Sequence, residues 1–126
     1  MSLTGNIGRV IVVSNTKELL LQNYRVGKFI PKGVNNKFLA YCLAFPGTTK
    51  QLSLNSNQTS QANFGKQDFD KIRIHIPTNK KTQEDIAQIL SDMDNEIQEL
   101  EKQLDKYKMM KQGMMQSLLT GKIRLV

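Results

Sequence analysis

Residues 86–118 read IAQILSDMDNEIQELEKQLDKYKMMKQGMMQSL, with hydrophobic side chains at alternating intervals of four and three residues. This is the heptad a/d pattern of a coiled coil, held for more than four heptads with one polar interruption, at Lys111. The predicted helix-interface residues are Ile86, Leu90, Met93, Ile97, Leu100, Leu104, Tyr107, Met114 and Leu118. A helix of this length extends roughly 50 Å, so its hydrophobic stripe requires a second helix.

The pattern divides the chain into a small domain and an extended helix. We predict a domain over residues 1–77, a linker over 78–81, a long coiled-coil helix over 82–119 and a tail over 120–126. Thr82 is the predicted N-cap of the helix, and Thr120-Gly121 is its predicted end. Neither a signal peptide nor a membrane-spanning run is evident, so we expect a cytoplasmic protein.

Residues 1–77 contain three strand-like runs and one helical run. Residues 9–13 are mostly β-branched, residues 23–30 place Tyr24, Val26 and Ile30 on one face, and residues 72–76 alternate isoleucine with polar residues. Residue 35 or 36, each asparagine, is the predicted N-cap of a helix that a Pro-Gly pair ends. A polar segment (48–64) and a helical turn (67–71) follow. These elements predict an α+β fold: a partial, small mixed α/β domain followed by the long helix.

All of the excess positive charge lies in residues 1–77, which hold ten Lys or Arg and three Asp or Glu. Residues 78–126 hold eight basic and eight acidic residues. A basic domain beside a neutral helix predicts that the domain binds a polyanion and that the helix binds a protein. The candidate phosphate contacts are Arg9, Arg25, Lys28, Lys50, Lys66 and Arg73. A solvated surface position explains any one of them better than a phosphate contact, but does not explain the clustered excess.

Residues 58–66 are the best candidate for reading DNA bases. Asn and Gln amides can bond adenine at two atoms, Ser hydroxyls can bond several base edges, and Lys66 can hold phosphate or guanine. The predicted base-contacting residues are Gln58, Ser60, Gln61 and Asn63. The alternative is a solvated loop whose side chains bond their own backbone, and the two interpretations are about equally supported.

The sequence predicts no catalytic, metal or cofactor site. His75, the sole histidine, lies on the outward face of a predicted strand, without a paired nucleophile or ligand set. Asp92, Asp94 and Glu96 fit solvated positions of a heptad better than a metal cluster. The GNIG motif at residues 5–8 fits either a structural turn or an RNA-binding loop, and the strand-like run after it favours the turn. We therefore predict a protein that is not an enzyme.

Three blocks resemble the specificity (S) subunit of type I restriction-modification enzymes. GNIGRV (5–10) is similar to a turn-and-strand motif of that family's target recognition domain. NQTSQANF (57–64) with IRIHIP (72–77) resembles the segment that closes this domain. QEDIAQIL (83–90) and KQGMMQSLLTGK (111–122) resemble the family's long helix and its tail, and this third block is the most specific. The chain looks like the later part of one recognition domain plus one helix.

The resemblance implies a non-catalytic subunit that recognises one half of a bipartite double-stranded DNA target. The implied partners are methyltransferase (modification) subunits, the restriction subunit through them, and another S half or a second copy paired through the helix. In that family, methyl transfer and cleavage belong to other subunits. The alternative function is a structural coiled-coil oligomerisation protein with an incidental basic head domain.

Overall fold

The computed structural model of the protein describes residues 1–3, 8–13, 17–55 and 69–123. Its named regular elements are three α-helices: α1 (Asn36–Ala44), α2 (Pro46–Asn55) and α3 (Lys80–Leu119). The chain forms two compact units, Met1–Ala87 and Gln88–Val126. The first unit contains α1, α2 and the first turns of α3, and the second contains the rest of α3.

Helix α1 begins where the sequence predicts. Asn35 is its N-cap, and the Asn35 Oδ1 accepts a hydrogen bond from the Phe38 backbone N–H at 3.0 Å. This bond satisfies one of the amide groups that an α-helix leaves without a partner in its first turn. Phe38 and Leu43 are the buried residues of the helix. One face of α1 therefore packs inward.

Helix α2 covers the start of the polar segment (48–64), where the sequence predicts no helix. Pro46 begins α2, because a proline at the first helical position has a suitable φ and needs no amide partner there. The Thr48 Oγ1 donates to the Cys42 carbonyl at 2.7 Å, and the Thr48 N–H donates to the Phe45 carbonyl at 2.9 Å. These bonds join the two helices. The predicted polar segment is thus helical as far as Asn55, and its remainder lies outside the described residues.

The hydrophobic core of the first unit is small and joins distant parts of the chain. Met1, Leu43 and Leu52 are its buried members, and Leu52 is 0% exposed. The partly buried side chains packed against them are Val10, Leu39, Phe69, Ile72 and Ile74. Few side chains are fully buried among the described residues, so each contributes a large share of the stability of this unit.

The three predicted strands do not form in the described residues. Residues 9–13 carry exposed Ile11, Val12 and Val13, and residues 23–30 contribute only an isolated antiparallel bridge between Ser2 and Val26. Tyr24 and Ile30, which share one face of the predicted strand, are 80% and 72% exposed, so this run is neither paired as a strand nor buried on that face. A strand requires a neighbour that pairs with its backbone, and β-branched composition does not supply one. The α+β class is therefore not confirmed.

The third strand-like run shows how a side chain replaces a neighbouring strand. The Gln51 amide on α2 accepts from the Arg73 N–H at 3.0 Å and donates to the Arg73 carbonyl at 3.2 Å. The run alternates as predicted at Ile72 and Ile74, which pack against the core, while Ile76 is 40% exposed. Its inward pattern is thus realised without a sheet.

Helix α3 is the predicted long helix, with an earlier start. It has 40 residues and begins at Lys80, where the Asn79 Oδ1 accepts from the Lys81 N–H at 2.8 Å. Asn79, rather than Thr82, therefore caps it. The helix continues through Gly113 and ends at Leu119, next to the predicted Thr120-Gly121 end. Gly121 has a φ of +71°, a conformation that glycine adopts without strain after a helix.

Candidate nucleic-acid interface

The described cations of residues 1–77 that we predicted as phosphate contacts all lie on the surface. They are Arg9, Arg25, Lys28, Lys50 and Arg73, and each is exposed. Exposed cations can meet a phosphate without first losing a buried partner. Positive charge spread over several elements also attracts a polyanion from a distance, and added salt shortens the range of this attraction.

Lys50 and Arg73 belong to neighbouring elements. Lys50 precedes Gln51 on α2, and the Gln51 amide holds the backbone of Arg73 at both its N–H and its carbonyl. The Arg73 guanidinium also donates to the Asp70 carbonyl at 3.3 Å. Because the Gln51 amide bonds both backbone polar groups of Arg73, the exposed Arg73 guanidinium is carried by an ordered segment. Gln51 has no distinguishing signal in the sequence, since only the fold brings α2 beside residues 72–76.

Tyr24 and Arg25 form an exposed pair. The Arg25 guanidinium carbon lies 5.4 Å from the centre of the Tyr24 ring, and the Arg25 Nε donates to the Tyr24 hydroxyl at 3.1 Å. The Arg25 N–H also donates to the Asn23 Oδ1 at 3.1 Å, which orders the turn. An exposed ring beside a guanidinium suits stacking on a base and contact with a phosphate. Tyr24 is not among the predicted DNA contacts, since the spacing of the aromatic residues in the sequence is mostly typical of a core.

The other predicted DNA contacts lie outside the described residues. These are Gln58, Ser60, Gln61, Asn63 and Lys66. They remain candidates on sequence grounds.

The predicted helix interface is exposed along most of the second unit. Six seam residues in this unit each expose more than half of the side chain: Met93, Ile97, Leu100, Leu104, Tyr107 and Met114. Ile86, Leu90 and Leu118 are partly buried. Hydrophobic side chains repeated along one helix in this way form a contiguous apolar surface of the kind that marks an interaction site.

A shallow hydrophobic patch lies near the C-terminal end of α3. Its lining residues are Tyr107, Met110, Lys111, Met114, Met115, Leu118 and Leu119. Methionine side chains are unbranched and flexible, so they adapt to partners of different shape. This patch extends the seam and widens it beyond the a/d positions.

Apart from Lys111, which interrupts the seam, the charged residues of α3 lie outside the a/d positions. Three ion pairs follow the helix, Lys81–Asp85 at 2.8 Å, Lys102–Glu99 at 2.6 Å and Lys108–Asp105 at 3.4 Å. All their side chains are more than half exposed, so each pair contributes little to stability. Among the described residues, no group of three His, Cys, Asp or Glu side chains is placed to hold a metal ion.

Cys42 gives a test of burial in α1. Burial raises the pKa of the Cys42 thiol above its ordinary value, because the thiolate is poorly solvated there. We expect iodoacetamide to alkylate the folded protein more slowly than the urea-unfolded protein, with the rate rising at a higher pH.

The sign of the linked stability follows from the same shift. A thiol with a raised pKa in the folded state contributes stability below the unfolded-state pKa, and this contribution declines as the pH rises above it. Identical pH profiles of alkylation for the folded and unfolded protein would show that Cys42 is not protected.

The family comparison bears on this surface and on the helix together. The family model described as type I restriction modification DNA specificity domain matches residues 1–106. The chain belongs to this family. The match includes the basic segment and α3 as far as Lys106. No curated protein and no solved structure significantly matches the chain.

Membership places the exposed cations and the helix in one specificity domain. The matched range contains the seam from Ile86 to Leu104, whereas the methionine-rich patch begins at its edge. Within the described part of this specificity domain, no helix is long and apolar enough to cross a membrane.

Proposed function

We propose that this chain is a non-catalytic DNA-recognition subunit of a type I restriction-modification system. Residues 1–77 bind one half of a bipartite double-stranded DNA target. Helix α3 acts as a spacer and as the docking surface for methyltransferase (modification) subunits, and through them for the restriction subunit. The observation that carries the proposal is the DNA specificity family match over residues 1–106.

The charge distribution supports the DNA-binding part of the proposal. The net charge of +7 falls within residues 1–77, and the cations described there are exposed. In this proposal Arg9, Arg25, Lys28, Lys50, Lys66 and Arg73 bind phosphates, and Gln58, Ser60, Gln61 and Asn63 contact base edges. Phosphate contacts position a protein on the duplex, and contacts to base edges supply the sequence specificity.

The exposed seam supports pairing of α3 with a second helix, from another specificity half or from a copy of this chain. The charges that flank the seam favour an antiparallel pair of copies. Asp94, Glu96 and Glu101 lie beside the first part of the seam, and Lys108 lies beside the later part. A parallel pair would bring Glu96 of one helix towards Glu101 of the other, whereas an antiparallel pair brings acidic segments towards basic ones.

The salt dependence of DNA binding tests the proposal. We expect the full chain to bind a random-sequence duplex with an affinity that falls steeply as salt rises, because bound phosphates release counterions. Combining Lys50→Ala with Arg73→Ala should reduce the slope of log K against log salt by about 1.8, since each lost phosphate contact removes about 0.9. Fluorescence anisotropy of a labelled duplex measures both quantities.

Lys102→Ala is the matched control, because Lys102 is an exposed lysine of α3 outside the basic segment. It should leave the slope unchanged. An unchanged slope in the double variant would show that Lys50 and Arg73 do not contact phosphates.

The second candidate is a structural coiled-coil oligomerisation protein with an incidental basic head. The exposed seam of α3 favours it, since that surface needs a partner whether or not DNA is bound. This candidate predicts assembly through α3 and no salt-dependent DNA binding. The same titration therefore separates the two functions.

A further inference from the structure

Gln83 joins three segments of the first unit through one buried amide. Its side chain lies on α3 and is 2% exposed. The Gln83 Oε1 accepts a hydrogen bond from the Asn35 backbone N–H at 2.9 Å, and the Gln83 Nε2 donates to the Pro77 carbonyl at 2.7 Å. The amide thus connects α3 to the start of α1 and to the end of the run over residues 72–77.

Both groups that Gln83 contacts belong to segments anchored elsewhere. Asn35 is the N-cap of α1, and its own side chain bonds the N–H of buried Phe38. The run that ends at Pro77 packs against the core through Ile72 and Ile74. The two hydrogen bonds of the amide therefore hold α3 at a defined position relative to Asn35 and Pro77.

Directional bonds specify a position that hydrophobic contact alone does not. Ala87 lies one turn after Gln83 on the same face and is 2% exposed. Turning α3 by one residue in either direction, about 100°, would break both amide bonds, and one of the two directions would move Glu84 towards the buried position. An unpaired carboxylate there is strongly unfavourable. One rotational setting of the helix is thus favoured over its neighbours.

We propose that Gln83 is the positioning residue that fixes the orientation of α1 and of the run over residues 72–77 relative to the first turns of α3. Through this orientation, Gln83 sets the spacing of the DNA half-sites. The second part of this proposal rests on the proposed function. Gln83 acts through the helix and touches no base or phosphate in this role. A network with both partners satisfied selects one arrangement, whereas an apolar contact of similar size permits several.

Spin labels on two exposed positions of the first unit test directly whether Gln83 fixes this orientation. Labels at Lys50→Cys and Glu84→Cys, in a Cys42→Ala background of the full chain, report the distance between α2 and the start of α3. Gln83→Leu keeps a similar volume and removes both hydrogen bonds. We expect it to widen the distance distribution at least twofold at temperatures well below unfolding.

Gln88→Leu is the matched control, because Gln88 is an exposed glutamine five residues further along α3 and bonds Asp92 of the same helix. It should leave the distribution unchanged. A loss of stability alone would lower the unfolding temperature without widening the distribution. An unchanged width in folded Gln83→Leu would overturn the positioning role.

Gln83→Glu keeps the test decisive if Gln83→Leu fails to fold. A protonated carboxyl can donate to the Pro77 carbonyl and accept from the Asn35 N–H, as the native amide does. A carboxylate cannot donate, so the distance distribution should be wide at about pH 8. It should become narrow at about pH 5, where the carboxyl is protonated, since burial raises the pKa of a carboxyl. A narrow distribution at both pH values would overturn the role.

The methylation pattern tests the link to DNA spacing. In cells that express the full chain with its modification subunits, sequencing of methylated bases gives both half-sites and their separation. We expect Gln83→Leu and, near neutral pH, Gln83→Glu to keep the half-site sequences and to accept more than one separation. A single unchanged separation would overturn this link. If the parent chain directs no methylation, the proposed function fails, while the spin-label result still decides whether Gln83 is a positioning residue.

Discussion

Replacing Leu52 with alanine is expected to lower the free energy of unfolding of the first unit by about 2–5 kcal/mol. Leu52 is 0% exposed and belongs to a core whose fully buried members are few. The substitution loses buried hydrophobic contact and leaves a cavity that its neighbours fill only in part. Domains of this size are stable by only about 5–15 kcal/mol, so the expected loss is a large fraction of the whole.

Pulsed alkylation of Cys42 during a urea titration measures this loss, because the thiol lies in α1 of the same unit. The matched control is Leu19→Ala, the same change at a side chain that is 86% exposed. We expect the midpoint of the control to stay within error of the parent chain. Equal shifts for Leu52→Ala and Leu19→Ala would contradict the placement of Leu52 at the centre of the core.

Leu100→Asp is expected to weaken self-association of the chain by about 100-fold or more. In a symmetric pair the substitution occurs twice, and burying each leucine contributes about 1.5–3 kcal/mol. A factor of ten in the dissociation constant corresponds to about 1.4 kcal/mol, so the loss of both leucines alone accounts for two factors of ten or more. Placing a carboxylate in the seam adds a further penalty.

Sedimentation at several protein concentrations measures the change. Gln98→Asp is the control, because it introduces the same charge at an exposed position outside the a/d series. Circular dichroism should show the same helix content in both variants. If Leu100→Asp and Gln98→Asp sediment alike, α3 does not pair through its seam.

The strand predictions failed for a reason that composition does not contain. Residues 9–13 have the β-branched side chains that strands prefer, yet Ile11 is 78% exposed and no strand forms there. A strand is stabilised by its neighbour, so its formation depends on which other segment the fold brings alongside. At Arg73 the fold supplies the Gln51 side chain instead of a strand.

The helix start was predicted to within two residues, but the capping residue was wrong. Thr82 fits the capping pattern, and Asn79 three residues earlier fits it as well. The choice between them depends on where the preceding run ends. It ends at Pro77, and the Asn79 side chain then accepts a hydrogen bond from the Lys81 N–H in the first turn of α3. Such alternatives are close in local energy, so sequence reasoning places helix ends less securely than helix interiors.

What the sequence by itself determined about this protein is local: the long helix, its hydrophobic seam, an asparagine cap of α1 at residue 35 or 36, and the division of charge. Periodicity, capping and charge are properties of neighbouring residues, and they need no tertiary contact to be recognised. The tertiary structure alone decided that Gln83 is buried and bonded at both ends of its amide. Gln83 and Gln88 have the same side chain on the same helix, and only the packing of α1 and Pro77 against one of them makes it different.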